Sequence, residues 1–332
     1  MKKIISGCLT LSMVFCLASG FTSAAEEQNA LERIQESGKL VMATDAAWPP
    51  FEFMEGEDVV GVDVAIAQDI ADGLGVELEV INVAFDSLSM YLENQEADIA
   101  IAAITVTEDR QEVMEFSEPY TDTYQYIVVK EDDDSVETIE DLAGYIIGVH
   151  LGTTGDFLAS DEVNMGVLAG TGASVQQYKD LTVAALGLNA GDVQAIVCDK
   201  LLAENLCEVN EGLKCFEAVY EDGSSTNEQY AIAANKGETE LIEAINEIVQ
   251  PLKEDGTIDQ YILDYTERAS LAEEDNADEA AADETEAVAE ETEAAAEETE
   301  AAAEETEAAA DETEAAAEET EAVAEETEAA AE

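Results

Sequence analysis

Residues 62–80, Val62-Asp63-Val64-Ala65-Ile66-Ala67-Gln68-Asp69-Ile70-Ala71-Asp72-Gly73-Leu74-Gly75-Val76-Glu77-Leu78-Glu79-Val80, decide the architecture of this chain. Val62, Ile66, Ile70 and Leu74 recur every four residues, which puts them on one face of an amphipathic helix ending at the Gly73/Gly75 pair. Val76, Leu78 and Val80 then alternate with Glu77 and Glu79, the period-two pattern of a strand. Upstream, Lys39-Leu40-Val41-Met42-Ala43-Thr44 is a short apolar run suited to a buried strand. Downstream, Asp86 is placed to cap a helix through Leu88 and Leu92, and Ala97-Asp98-Ile99-Ala100-Ile101 is a further strand. Strand and helix alternate, so a largely parallel α/β sheet is expected.

The pattern restarts after an extended stretch, Tyr124-Gln125-Tyr126-Ile127-Val128-Val129. Tyr145–Val149 reads as a strand, Gly152-Thr153-Thr154-Gly155 as a turn opening a helix, Leu181–Leu188 as a helix and Val193–Val197 as a strand. A second extended stretch, Gln229–Ala234, precedes a helix carrying Leu241, Ile245, Ile248 and Leu252. Two α/β halves joined by two extended segments imply one lobe interrupted by insertion of the other, with a cleft between them as the natural ligand site. The expected divisions are 26–123 for the first part of lobe one, 124–228 for lobe two and 229–268 for the return to lobe one. The hinge is expected near 121–126 and 226–231.

Charge excludes other classes. The 332 residues carry 80 acidic and 12 basic side chains and a single histidine, for a net charge near −68. No basic face exists to neutralise phosphates, so nucleic-acid binding is excluded. A histidine-based zinc site or serine–histidine triad would have to rest on His150 alone.

The two ends are read as appendages. Met1-Lys2-Lys3 followed by the apolar run Ile4–Phe21 and the small residues Ser23-Ala24-Ala25 predicts a signal peptide over 1–25. A lipid anchor would need Cys8 or Cys16, but Cys8 has almost no apolar segment before it and Cys16 follows the large Phe15, so ordinary cleavage is expected. Residues 269–332 form an acidic tail built on the seven-residue unit Glu290-Glu291-Thr292-Glu293-Ala294-Ala295-Ala296. Ala and Glu favour helix, yet like charges recur at three- and four-residue spacing and repel, so a disordered or partly helical spacer is expected.

Specific motifs refine the reading. Thr44-Asp45-Ala46-Ala47-Trp48-Pro49-Pro50-Phe51-Glu52-Phe53 with Gly61-Val62-Asp63-Val64, then Ile104-Thr105-Val106-Thr107-Glu108-Asp109-Arg110 with Phe116-Ser117-Glu118-Pro119-Tyr120, stand in one order with Gly148-Val149-His150-Leu151-Gly152-Thr153, Cys198-Asp199, Gln229-Tyr230-Ala231-Ile232-Ala233 and Leu252-Lys253-Glu254-Asp255-Gly256-Thr257. Over residues 30–265 the chain resembles the family 3 solute-binding proteins of polar amino-acid ABC importers, the group of the glutamine-, histidine- and lysine/arginine/ornithine-binding proteins. The resemblance implies a two-lobed α/β fold of the type II periplasmic-binding-protein kind with a two-strand hinge. It also implies an extracytoplasmic, monomeric receptor without catalysis or cofactor, whose partners are a polar amino acid and the permease subunits.

The chemistry of such a cleft assigns the candidate residues. A free α-amino acid brings a carboxylate and an ammonium, and a closed cleft must meet each with an opposite charge and filled hydrogen bonds. Arg110 offers a planar fork for the carboxylate, as the matching arginine does in the family; the alternative is an outer-face arginine paired with Glu108 or Glu112. Backbone N–H groups at Thr153 and Thr154, where a turn opens a helix, would support the same carboxylate. Asp199, at the end of a strand, corresponds to the acid that receives the ammonium, with the Thr105 hydroxyl and the Ala103 carbonyl beside it; its other reading is a helix N-cap. Side-chain selectivity falls to Asp45, Trp48, Phe85 and His150, the two aromatics forming a sandwich for a flat or extended side chain. His150 stands where glutamine-binding relatives carry a lysine, and Ala103 where relatives have glycine or serine. Asp63 is expected to cap its helix. Cys198 is read as a thiol lining the pocket, and Cys207 and Cys215 are spaced to form a bridge.

Two other functions share the scaffold: an extracytoplasmic dehydratase acting on a prephenate-like acid, which needs a carboxyl general acid in the cleft, and a ligand-sensing module whose acidic tail docks on a partner.

Overall fold

The structure, a computed structural model, describes residues 29–272. The predicted signal peptide, Cys8, Cys16 and nearly all of the acidic tail lie outside them. After helix α1 (Ala30–Ser37) the chain enters β1 (Lys39–Thr44), the predicted strand to the residue. A small antiparallel sheet of β2 (Ala47–Trp48), β3 (Glu52–Glu55) and β4 (Asp58–Val60) follows. Helix α2 (Val62–Leu74) then leads to β5 (Glu77–Asn82). Helix α2 stops where Gly75 adopts φ 75° and donates its N–H back to Ala71 and Asp72, a left-handed cap natural to glycine. Ile66 and Ile70, on its periodic face, are fully buried against the sheet, each contributing roughly 1.5–3 kcal/mol.

Next come α3 (Leu88–Glu93), β6 (Ile99–Ala100), α4 (Glu108–Val113), β7 (Met114–Phe116) and β8 (Thr121–Thr123). Asp86 does not cap α3: it lies within a 3-10 turn, Phe85–Ser87, that displaces the helix start to Leu88. The strand predicted over Ala97–Ile101 is ladder-paired only at Ile99 and Ala100.

The second half runs β9 (Gln125–Lys130), β10 (Ile146–His150), α5 (Thr154–Asn164), β11 (Ser174–Tyr178), α6 (Leu181–Ala190), β12 (Ala195–Asp199), α7 (Lys200–Val209) and β13 (Leu213–Glu217). The chain returns through β14 (Glu228–Tyr230), β15 (Ala233–Asn235) and α8 (Thr239–Glu254).

Two five-stranded sheets result, ordered β5-β1-β6-β15-β7 and β11-β10-β12-β9-β13. In each, the first three strands and the fifth run in one direction and the fourth, β15 or β9, runs antiparallel between its neighbours. β15 thus joins a sheet whose other strands all precede β8. Between the sheets, β8 and β14 pair antiparallel with Glu228 opposite Thr123 and Tyr230 opposite Thr121. This pair is the two-strand crossing of a two-lobed α/β fold. Among the described residues no helix is long and apolar enough to cross a membrane.

Candidate functional site

The carboxyl ends of the parallel strands in both sheets face one another, where open α/β sheets collect functional groups. β12 ends at Asp199, β10 at His150, and the segment after β6 carries Ala103 and Thr105. A narrow cavity of about 200 Å³ lies there, lined by Trp48, Phe85, Ala102, Ala103, Thr105, Arg110, Thr153, Thr154 and Asp199. Eight of the ten predicted residues line it, and Asp45 and His150 adjoin it through Phe85, Trp48 and each other. A larger hollow of about 1160 Å³, open to solvent, shares Phe85 and Arg110 with it, whereas Thr105, Thr153, Thr154 and Asp199 line the narrow cavity and not the larger one.

The floor is built from the first sheet. Ala103 has φ 47°, unusual for a residue with a side chain, and its N–H donates to Asp63 Oδ2 at 2.8 Å. The other Asp63 oxygen accepts from Tyr120 Oη at 2.8 Å. Asp63 therefore does not cap α2, whose N-cap is Gly61 without a side-chain bond; it holds the cavity floor from behind. Its carboxyl is pushed up to about 6 by burial, despite the hydrogen bonds that favour the anion. Glu52 lies against it, is equally buried, and is pushed well above the usual range by burial and by the Asp63 charge. Two contacting carboxyl groups in a dry core keep one proton between them.

Arg110 sits in α4, whose N-cap Thr107 accepts from the Arg110 N–H. Its guanidinium donates to the Thr105 carbonyl at 2.8 Å and across the cleft to the Gly152 carbonyl at 3.1 Å, and lies 5.2 Å from the Phe85 ring centre. Burial draws its pKa down, while Glu228 and Asp199 push it back up. It thus faces inward, not toward Glu108 or Glu112.

On the other lobe, Thr153 is the N-cap of α5: its Oγ1 accepts from the Asp156 N–H and donates to the His150 carbonyl. Asp199 occupies the N-cap position of α7 yet makes no capping bond. Instead its Oδ1 accepts from Gln125 Nε2 at 2.9 Å. Burial, and next the Glu228 charge, hold the Asp199 carboxyl well above the ordinary range. Cys198 is not a pocket residue. Successive strand side chains point to opposite faces, so Cys198 is turned into the core, where burial raises its thiol pKa. Cys207 and Cys215, whose spacing would allow a bridge, are free thiols.

Trp48 and Phe85 flank a ring already in place: His150 lies 5.4 Å from Trp48 and 6.1 Å from Phe85 between ring centres. Asp45 Oδ2 accepts from the Phe85 N–H at 2.9 Å and sits 3.4 Å from His150 Nε2. Two neighbours of the cavity escaped sequence reasoning. Glu228 Oε2 accepts from the hydroxyls of Thr105 at 2.8 Å and Thr154 at 2.7 Å, one from each lobe. Gln125 Nε2 reaches Asp199, Glu228 and Thr154. The one available signal was Gln125 itself, a polar residue opening the apolar run of β9.

The sequence profile of the bacterial extracellular solute-binding proteins, family 3, matches residues 40–268. The L-cystine-binding protein TcyJ of Escherichia coli is 29% identical over 251 residues, covering 74% of this chain and 90% of its own. Among solved structures, an amino acid ABC transporter substrate-binding protein, AbpA of Streptococcus pneumoniae, bound to L-arginine, is 30% identical with a TM-score of 0.66, covering 72% of this chain and 98% of its own. The ancestral amino acid-binding protein AncCDT-1, described as a precursor of cyclohexadienyl dehydratase, is 27% identical with a TM-score of 0.64, over 72% of this chain and 100% of its own.

Proposed function

Because the chain belongs to the bacterial extracellular solute-binding proteins, family 3, we propose that it closes on a free polar L-amino acid outside the cytoplasm and delivers it to the permease of an ABC importer. One observation carries the reading: a guanidinium from one lobe and a buried carboxyl from the other, Arg110 and Asp199, open onto the same cavity. Arg110 takes the ligand carboxylate together with the N–H groups at the start of α5, and Asp199 takes the ammonium with Thr105 and the Ala103 carbonyl. Closure is then favourable only when both ends of the zwitterion are met, since an unmatched buried charge costs several kcal/mol. Asp45 favours a side chain that carries donors. The relatives named for cystine and arginine support that class. A thermal-shift screen against the twenty amino acids tests it: one or more polar amino acids raises the melting temperature, and a chain indifferent to all twenty would overturn the proposal.

The dehydratase reading has one observation in its favour, the raised Asp199 carboxyl next to a relative described as a dehydratase precursor. Incubation with prephenate or arogenate separates the two, since only the enzyme yields an aromatic product.

A further inference from the structure

Gln125 is wholly buried at the start of β9, yet its amide is badly matched to its surroundings. Its Nε2 faces three acceptors, Asp199 Oδ1 at 2.9 Å, Glu228 Oε1 at 3.2 Å and Thr154 Oγ1 at 3.2 Å, with only two hydrogens to give. Its Oε1 is buried and meets no donor among the described residues. Glu228 already accepts from Thr105 and Thr154 through its other oxygen. The wall behind the cavity, where the Gln125 amide bridges Asp199 and Glu228, is therefore rich in acceptors and short of donors. An ammonium brings three hydrogens and a positive charge to this wall, whereas a hydroxyl, an amide or an acylated nitrogen brings fewer hydrogens and no charge.

We propose that Glu228 is a second carboxylate for the ligand ammonium, acting with Asp199, so that the cleft selects ligands with a free, charged α-amino group and strongly rejects otherwise identical acids that lack it. The inference rests on the amino-acid receptor reading and deepens it. Glu228 lies on β14, part of the crossing between lobes, and bonds a hydroxyl from each lobe, so the same carboxylate that reads the ammonium is tied to closure. Among the described residues Arg110 is the only arginine or lysine lining the cavity. With the ligand carboxylate placed on it, two acids remain for the ammonium, and the surplus negative charge rewards a ligand bearing a further cation, such as arginine, over a neutral one.

The test is a two-by-two titration calorimetry experiment, wild type and Glu228→Gln, each with L-arginine and with its des-amino analogue, 5-guanidinopentanoic acid. The expected result is that Glu228→Gln weakens L-arginine by roughly tenfold or more, the scale of a lost charge-assisted hydrogen bond, and leaves the analogue unchanged. Equal weakening of both ligands, or of neither, overturns the assignment, because a purely structural carboxylate cannot distinguish them. Melting temperatures of both proteins establish that the variant is folded. Should the wild type bind another of the twenty amino acids instead, that amino acid and its des-amino acid form the pair. A wild type that binds none overturns the receptor reading itself, an outcome distinct from failure of the Glu228 role.

Discussion

His150 Nε2 lies 3.4 Å from Asp45 Oδ2, so the end of β10 in one lobe is joined to the segment after β1 in the other by a nearly buried pair. The imidazole lies between the aromatic pair, 5.4 Å from Trp48 and 6.1 Å from Phe85 between ring centres. On the proposed receptor reading, a cationic guest is expected to compete with His150 for the same carboxylate.

Asp45→Asn keeps an acceptor for the Phe85 N–H but removes the charge. It is expected to weaken a basic amino acid by about 2–5 kcal/mol, the scale for stripping a partner from a buried charge, and a neutral one such as glutamine much less. Calorimetry with arginine and glutamine on both proteins checks this; equal losses would contradict a side-chain role for Asp45.

Arg110→Ala is expected to cost every amino acid about 2–5 kcal/mol of binding, with the fold intact by circular dichroism. Arg110→Lys recovers only part of it, because one ammonium cannot present the fork that now spans the Thr105 and Gly152 carbonyls. Unchanged affinity in either variant would remove Arg110 from the site.

The Glu52–Asp63 pair makes stability depend on pH in a definite direction. Asp63 is raised from 3.8 to about 6 and Glu52 is raised as well, so the folded state holds a proton that the unfolded chain has released. That stabilisation is fully present below the unfolded pKa near 4 and is lost as pH rises through about 6. Glu52→Gln supplies a donor to Asp63 at any pH, so its melting temperature is expected to fall less than wild type between pH 5 and 8. Parallel curves for the two proteins would show that no proton is shared.

Two glycines separate backbone strain from crowding. A Cβ at Gly61, φ 141°, would stand 2.0 Å from the Phe51 carbonyl oxygen, whereas at Gly75, φ 75°, none of the described residues lies within 4 Å. Gly61→Ala is expected to cost about 4 kcal/mol or more, or to prevent folding, and Gly75→Ala only about 1–2 kcal/mol. Urea midpoints rank them, and similar midpoints would contradict the packing of β3 against the start of α2.

Long periodic segments were legible in sequence because burial of one face imposes the period: β1 and α2 have the bounds read from Lys39–Thr44 and Val62–Leu74. Short segments were not. The ladder at β6 holds only two residues, because the chain turns at Ala103 under the pull of Asp63, which sequence cannot reveal. Cys198 was placed in the pocket by adjacency to Asp199, although strand alternation forbids both from facing the same way. Glu228 and Glu52 were invisible for another reason: among 80 acidic residues, neither has a local pattern marking it as buried or bonded. Their partners come from segments up to 123 residues away.

The position of β15 between β6 and β7 has a consequence for how the molecule is assembled. Everything the second sheet needs has been made once Glu217 is reached, but the first sheet stays split, with β6 and β7 separated by an empty slot, until residues 233–235 arrive. A chain emerging amino end first can therefore finish the later half before the earlier one. A product truncated after Glu217 would retain an intact second sheet and expose raw edges on the first, the form most prone to pair with its neighbours.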